Sequence, residues 1–328
     1  MARLVNRGFA LTLISLAIIA ELALRAAVAA PPNVVRILYG TGLAMYMAVE
    51  ERLADAAPAV HVLALGDSLT LTQFQPDVFA ADHGLPPDAV FNASYLSQTF
   101  RSQENLLRHI GVERMAQLQR VLIFVNPRRL TPDGNEDEAV FRVAIPDQDG
   151  TLRQAWRDRN LSPILDRSRL YGLSRYLVSA SWRQLGRPPS WDHVEYLMPQ
   201  GGVAFDGPRP SPFVGAGYPY APLGDVSEDY VDDLERVIQL FRRRNVSVVL
   251  LTTAIYPGVS EFVSVGTEAR FAERMKDLAP DTGSAWLPAN AAQPPEPDFL
   301  DYGHVSRAGG TAFTHRLHDV LAPLPPLH

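Results

Sequence analysis

Over most of the chain, short continuous apolar runs alternate with stretches of helical spacing. Val60-His61-Val62-Leu63-Ala64-Leu65 is the first apolar run and reads as a strand, with helical spacing following it through Ala81. Ala89-Val90-Phe91 reads as a second strand, and a polar helix is predicted over about 98–118. Val121-Leu122-Ile123-Phe124-Val125 has no polar position, the signature of a strand buried on both faces. After a long interruption, Ser227 is placed to cap a helix running to about Arg244, with Val231, Leu234, Val237, Ile238 and Phe241 on one face. Val246–Leu251 is another buried-type strand. A helix near 266–278, a weak strand at Ala285-Trp286-Leu287 and a last helix from Ser306 to before Pro323 complete the series. Strands alternating with helices in this way imply a parallel sheet covered on both faces. In such sheets, sites lie outside the carboxyl ends of the strands. Polar motifs occupy those ends here: Gly66-Asp67-Ser68, Asn92-Ala93-Ser94 and Asn126.

Two segments break the alternation. Residues 33–58 read as a helix linking the N-terminus to the domain, with Glu50, Glu51 and Arg52 on a polar side. Residues 130–225 read as an insertion. It holds a helix over Leu170–Leu185, then eight prolines between 188 and 222 interleaved with Trp191, Phe205, Phe213, Tyr218 and Tyr220. Long segments of this kind in compact domains are usually functional or disordered. Its expected place is over the sheet edge that bears the site, either as a substrate-contacting cover or as an ordered structural loop.

The N-terminus changes the picture further. Arg3 and Arg7 precede an apolar run from Gly8 to Ala20, followed by Glu21, Arg25 and a second small apolar stretch, Ala26–Ala30. One reading makes Gly8–Ala30 a membrane helix with its basic end in the cytoplasm, Glu21 and Arg25 being i,i+4 partners. The other makes it a signal peptide cleaved near Ala27-Val28-Ala29. Both send the rest of the chain out of the cytoplasm, to the periplasm. The expected organisation is thus 1–32 as membrane anchor or signal segment, 33–58 as linker helix, and 59–328 as an α/β domain with the insertion inside it.

Composition narrows the chemistry. The chain has 328 residues, 47 % of them apolar, enough for a sizeable core. Net charge is −6 with no basic run, which excludes a nucleic-acid footprint. There is no cysteine, so a disulfide framework, a thiolate nucleophile, a Cys-ligated metal and a lipoprotein anchor are excluded. Walker-type, dinucleotide-binding and His-Glu-x-x-His motifs are missing, and the histidines show no metal-ligand spacing. No cofactor is expected.

What the strand ends offer instead is a serine nucleophile. A serine hydroxyl needs a base to take its proton, and the base needs a third group to fix its tautomer and stabilise its charge. Ser68 follows a buried strand, where a tight turn permitted by Gly66 would present its Oγ, and the next helix would aim N–H groups at an oxyanion forming there. Among eight histidines, His61 lies within a strand, His83 and His109 sit at helix ends, and His315, His318 and His328 fall on the last helix or tail. His193 lies in the insertion beside Trp191. His304 alone has a carboxylate three residues before it, Asp301, in a turn that precedes a helix capped by Ser306. The same residues also fit plainer roles: Ser68 as a helix cap, and Asp301 and His304 as a turn capping the last helix.

Gly66-Asp67-Ser68-Leu69 near the start of the domain and Asp301-Tyr302-Gly303-His304 near its end resemble the first and last blocks of the SGNH/GDSL hydrolase superfamily. Phe91-Asn92-Ala93-Ser94-Tyr95-Leu96-Ser97 resembles the second block, with Ser97 where the family has Gly. Asn126 resembles the third-block Asn, with Pro127 in place of the usual Asp, and Val305 replaces the usual Pro after the histidine. The resemblance spans about 60–320 without the insertion. It implies Ser68, His304 and Asp301 as nucleophile, base and orienting acid, with Asn126 and Ser97 as oxyanion or substrate contacts. The expected fold is α/β, a flavodoxin-like three-layer α/β/α arrangement with a parallel sheet, an N-terminal membrane helix and a long insertion. By resemblance to anchored members that acylate or deacylate bacterial exopolysaccharides and cell-wall polymers, the expected function is a serine-dependent esterase or O-acyltransferase acting on acyl esters, including those of glycans. A transferase would draw its acyl donor from a multi-span membrane partner. The alternative, suggested by the altered middle blocks, is a non-catalytic glycan-binding or assembly subunit on the same fold.

Overall fold

The computed structural model describes residues 15–20, 41–96, 98–131, 197–205, 225–257, 265–288 and 292–327. The chain divides into two compact units, one formed by Met1–Ala44 with Asp137–Arg187 and the other by Met45–Glu136 with Pro188–His328. Of the first unit, residues 15–20 are helical, with Leu16, Ile18 and Ile19 exposed. Among the described residues no helix is long and apolar enough to cross a membrane. Most of the expected anchor, the helix expected at Leu170–Leu185, and His193 lie outside the described residues.

The second unit is built on a five-stranded sheet: β1 (Val62–Leu65), β2 (Val90–Asn92), β3 (Arg120–Val125), β4 (Ser247–Thr252) and β5 (Ala285–Leu287). The order is β2-β1-β3-β4-β5 and every pairing is parallel. This is the 2-1-3-4-5 order in which the topological switch falls between β1 and β3, the position where open α/β sheets place their sites. The helices are α1 (Thr41–Ala56), α2 (Ser68–Gln73), α3 (Pro76–Asp82), α4 (Phe100–Ile110), α5 (Glu228–Arg242), α6 (Val265–Thr282) and α7 (Arg307–Leu321).

Burial explains the apolar runs. All six residues of β3 and all four of β1 are buried. Alternate positions Val62, Ala64, Leu122, Phe124, Val249 and Leu251 join a core with Phe74, Phe79, Phe313 and Leu317 from the α2–α3 and α7 side. The other parity, Leu63, Leu65, Val121, Ile123 and Leu250, is equally buried. Helices α4 and α5 pack together, and α5 and α6 pack on β4 and β5. Period-2 residues are therefore apolar on both faces, as a doubly covered parallel sheet requires.

Three elements differ from the sequence expectation. The helical spacing from Ser68 to Ala81 is two helices, because Pro76 occupies the first turn of α3 and pushes Gln75 into extended backbone. The polar helix stops at Ile110, where Gly111 takes φ +84. The segment expected as a linker, 33–58, contains α1, which from Met45 onward belongs to the domain: Met45, Val49 and Leu53 are fully buried and Tyr46 meets Tyr95 edge-on at 5.1 Å. Arg52 ties α1 to the insertion by donating to the carbonyls of Leu197 (2.7 Å) and Met198 (2.6 Å).

Part of the insertion is thereby placed. Residues 197–205 form a tight turn whose Gly201 bridges in parallel to Asn92 at the open edge of β2. Gly201 adopts φ +74, and a side chain there would meet the Asn92 carbonyl oxygen at 1.9 Å, so only glycine permits the contact. Residues 200 and 201 thus pair with the end of β2 at Asn92, whose backbone N–H donates to the Gln200 carbonyl at 2.9 Å.

Phe313 is fully buried against Phe124, with ring centroids 6.0 Å apart. Phe313→Ala should lower unfolding free energy by about 3–5 kcal/mol, the usual cost of an aromatic-sized cavity. Urea unfolding followed by tryptophan fluorescence measures this; a loss under about 1 kcal/mol would mean that this face is not a close-packed core.

Candidate active site

Ser68 is the first residue of α2, immediately beyond β1. The turn between them depends on Gly66. A Cβ at that position would lie 2.0 Å from Thr70 Oγ1, so any side chain would push the first turn of α2 off the strand end. Asp67 is the N-cap: its backbone is extended and its Oδ1 accepts the Leu69 N–H at 3.0 Å. Ser68 therefore occupies the first helical position, where a helix leaves its own N–H without an intrahelical acceptor. Because α2 has only six residues, its dipole is small, and any oxyanion stabilisation comes from individual N–H groups rather than from a long helix.

His304 arrives from the far end of the chain. Its Nε2 lies 3.0 Å from Ser68 Oγ, and its Nδ1 lies 2.7 Å from Asp301 Oδ2. The other carboxylate oxygen, Oδ1, accepts the backbone N–H groups of Gly303 (3.0 Å) and His304 (2.9 Å). An Asp-x-x-His turn thus folds back on itself: the carboxylate fixes both the backbone and the ring of the residue three positions on. The Nδ1 contact with a carboxylate places the ring proton on Nδ1 and leaves Nε2 as an acceptor facing the serine. His304 is only 7 % exposed and Tyr302 meets its ring edge-on at 5.5 Å, so the imidazole is held from two directions.

Burial acts to raise the Asp301 pKa, but the neighbouring His304, its hydrogen bond, and the two backbone N–H donors outweigh it and hold the carboxyl below its ordinary value of 3.8. Asp301 stays ionised where an imidazolium would need it.

The loop carrying these residues is anchored by buried side chains of α2. Gln73, fully buried, donates from Nε2 to the carbonyls of Gly303 (2.6 Å) and Ala254 (2.8 Å) and accepts the Ala254 N–H at 2.9 Å. Thr72 Oγ1 accepts the Val305 N–H at 3.2 Å, and the Tyr256 N–H donates to the Tyr302 carbonyl at 2.7 Å. Neither Gln73 nor Thr72 stands out in the sequence. Both occupy polar positions in a helix, and nothing local pairs them with residues 180 or more positions away.

The third strand end supplies Asn126. Its Oδ1 accepts the Arg128 N–H at 3.0 Å and its Nδ2 lies 3.4 Å from Asp67 Oδ2. The same carboxylate oxygen takes Arg129 Nε at 3.1 Å. Arg129 is 14 % exposed and ion-paired to the residue next to Ser68. Asn92, in the second polar motif, is a structural residue: its Nδ2 donates to the carbonyls of Thr70 (3.1 Å) and Phe74 (3.0 Å) at the end of α2. Ser97 lies outside the described residues. Ser68, Asp301, His304 and Asn126 thus gather at the carboxyl edge of the sheet, and the other described histidines lie elsewhere. His61 is bound to Gln117, His109 to Glu50 and His315 to Asp82, and His83 stacks on Phe79.

Comparison with sequence-family models finds no match, and comparison with curated proteins finds none. Among solved structures, the chain is similar to a protein from Streptococcus pneumonia provisionally named a platelet activating factor, at 11 % identity and TM-score 0.42, covering 87 % of this chain and 95 % of that one. It is similar to the same degree, 11 % and 0.42, to a provisionally named acylhydrolase from Bacteroides fragilis, covering 84 % and 97 %.

Gln73→Leu leaves the Gly303 carbonyl and both Ala254 backbone groups buried without a partner, and should cost at least about 2 kcal/mol in urea unfolding. A near-neutral result would show that water replaces the amide. For Asp301, the folded pKa lies below the unfolded one, so its contribution is fully present above the unfolded value and is lost as pH falls through the folded one. Between about pH 5 and about pH 2 the parent should lose stability more steeply than Asp301→Asn. Parallel curves would mean that the carboxylate gains nothing on folding.

Proposed function

We propose that this chain is a serine-dependent acyl-ester hydrolase or O-acyltransferase of the SGNH/GDSL type. The observation that carries this reading is the continuous relay Ser68 Oγ–His304 Nε2–Asp301 Oδ2, at 3.0 and 2.7 Å. Each link has the length and the chemical identity that general-base activation of a hydroxyl requires. In the proposed reaction, His304 takes the Ser68 proton as Oγ attacks the ester carbonyl, and Asp301 stabilises the imidazolium. The tetrahedral oxyanion forms beside the Ser68 N–H and Asn126. Collapse expels the alcohol, which receives the proton from His304. Water, or an acceptor hydroxyl such as that of a sugar, then takes the acyl group by the reverse sequence.

A serine turned away from the histidine would favour the non-catalytic glycan-binding alternative; the 3.0 Å contact favours catalysis. The extracytoplasmic, membrane-anchored setting belongs to the same proposal. It is supported by the basic-flanked apolar N-terminus and by the exposed helical residues Leu16, Ile18 and Ile19. Glycan esters as substrates, and a membrane partner supplying the acyl group to a transferase, remain parts of that proposal drawn from the family resemblance.

The test is turnover of p-nitrophenyl acetate, together with covalent labelling by a fluorophosphonate. The parent should turn over the ester and be labelled at Ser68. Ser68→Ala and His304→Ala should each lose at least about 10³-fold in kcat, as in serine hydrolases generally. A parent that neither turns over the ester nor is labelled at Ser68 would sink the reading.

A further inference from the structure

The relay accounts for one of the two carboxylates beside Ser68. Asp67 is the other. It is 4 % exposed, it is adjacent in sequence to the nucleophile, and it plays no part in moving the proton. A carboxylate in that position opposes the charge that the proposed reaction develops on the carbonyl oxygen. The repulsion between unit charges grows as water is excluded, so a buried Asp67 left alone would raise the barrier.

We infer that Arg129 is a positioning residue for the oxyanion site, neutralising and holding Asp67, the carboxylate that orients the amide of Asn126; this rests on the acyl-transfer reading above. Four contacts carry the inference. Arg129 Nε reaches Asp67 Oδ2 at 3.1 Å, and the pair is largely withdrawn from solvent. Asn126 Nδ2 lies 3.4 Å from the same oxygen, so the carboxylate orients one N–H of the amide. The short helical turn Pro127–Leu130 holds donor and cation together: Asn126 caps it through the Arg128 N–H, and the Arg129 N–H donates to the Asn126 carbonyl at 2.8 Å. Asn126 Oδ1 and one Nδ2 hydrogen are thereby occupied, and the second Nδ2 hydrogen is the group left to meet an oxyanion. Asp67 in turn keeps its other oxygen on the Leu69 N–H, which sets the first turn of α2 and the place of Ser68. One ion pair so connects the end of β3 to the end of β1. Replacing Arg129 with a neutral residue leaves a buried carboxylate next to the reacting centre without its cation and loosens the oxygen on which the Asn126 amide is oriented.

The test measures kcat, KM and melting temperature for the full chain and for Arg129→Gln, Arg129→Lys, Asp67→Asn and the Asp67→Asn/Arg129→Gln pair, on p-nitrophenyl acetate. Arg129→Gln should lower kcat by about 10–100-fold with KM changed by less than about twofold, the pattern of a lost transition-state contribution. Arg129→Lys, which keeps the charge, should recover part of that loss. The double variant, which removes the uncompensated carboxylate, should exceed Arg129→Gln by about tenfold in kcat. Parental kcat in Arg129→Gln would overturn the inference, as would a double variant whose melting temperature recovers while its kcat does not. A parent with no turnover and no Ser68 labelling would overturn the esterase reading and this inference with it. An active parent with an unaffected Arg129→Gln overturns this inference alone.

Discussion

Ser68 and His304 are separated by 236 positions and meet at 3.0 Å because a buried amide ties their two segments together. Helix α2 is too short to fix its own orientation by length, and the loop at 299–305 has no strand ladder of its own beyond a single bridge between Phe299 and Val305. Gln73 satisfies three backbone groups, from the loop after β4 and from the loop of the histidine. A group of this kind is costly to leave unpaired and has one geometry in which all three bonds form. The distance between Ser68 Oγ and His304 Nε2 is therefore set by a neutral hydrogen-bond hub beneath the site. Neither the serine nor the histidine has to hold itself in place.

The sheet makes that arrangement possible. All five strands run the same way, so every carboxyl end opens on one edge, and the motifs that follow β1, β2 and β3 converge without any local signal for it. The strands were legible in the sequence because burial on both faces leaves no polar position to disguise them, as in Val121–Val125. The first and last site blocks were legible for a related reason. Gly66 and the Asp301-to-His304 spacing are local devices, a collision with Thr70 in one case and a closed carboxylate turn in the other. Local devices leave local marks.

What the sequence did not disclose is long-range. The break at Gln75 has a local cause in Pro76, although the helical spacing of the apolar residues runs on through it. Gln73, Thr72 and Arg129 are different. They bond to backbone 181 to 233 positions away, or, for Arg129, to a side chain 62 positions back on a neighbouring strand end. A polar residue in a short helix and an arginine beside another arginine look the same on a surface. Helix α1 misled in the opposite sense: its mixed spacing suits a tether, yet Met45, Val49 and Leu53 are fully buried in the domain.

The two carboxylates of the site are treated oppositely, and the difference matches the charges that acyl transfer would create. Asp301 faces the imidazole, where acyl transfer would create positive charge, and among the described residues the partner its Oδ2 is shown with is that ring. Its second oxygen is held by neutral N–H groups that keep it ionised without cancelling it. Asp67, adjacent to Ser68 in sequence, is paired with a permanent cation, and in the proposed reaction its bare charge would oppose the developing oxyanion. Exchanging the two environments would oppose the reaction at both ends: a cancelled Asp301 would leave the imidazolium unsupported, and a bare Asp67 would repel the oxyanion. Its burial alone calls for a counter-charge, which Arg129 supplies, and its bond to Leu69 is that of a helix cap. In the proposed acyl transfer the same ion pair would also shield the oxyanion from Asp67.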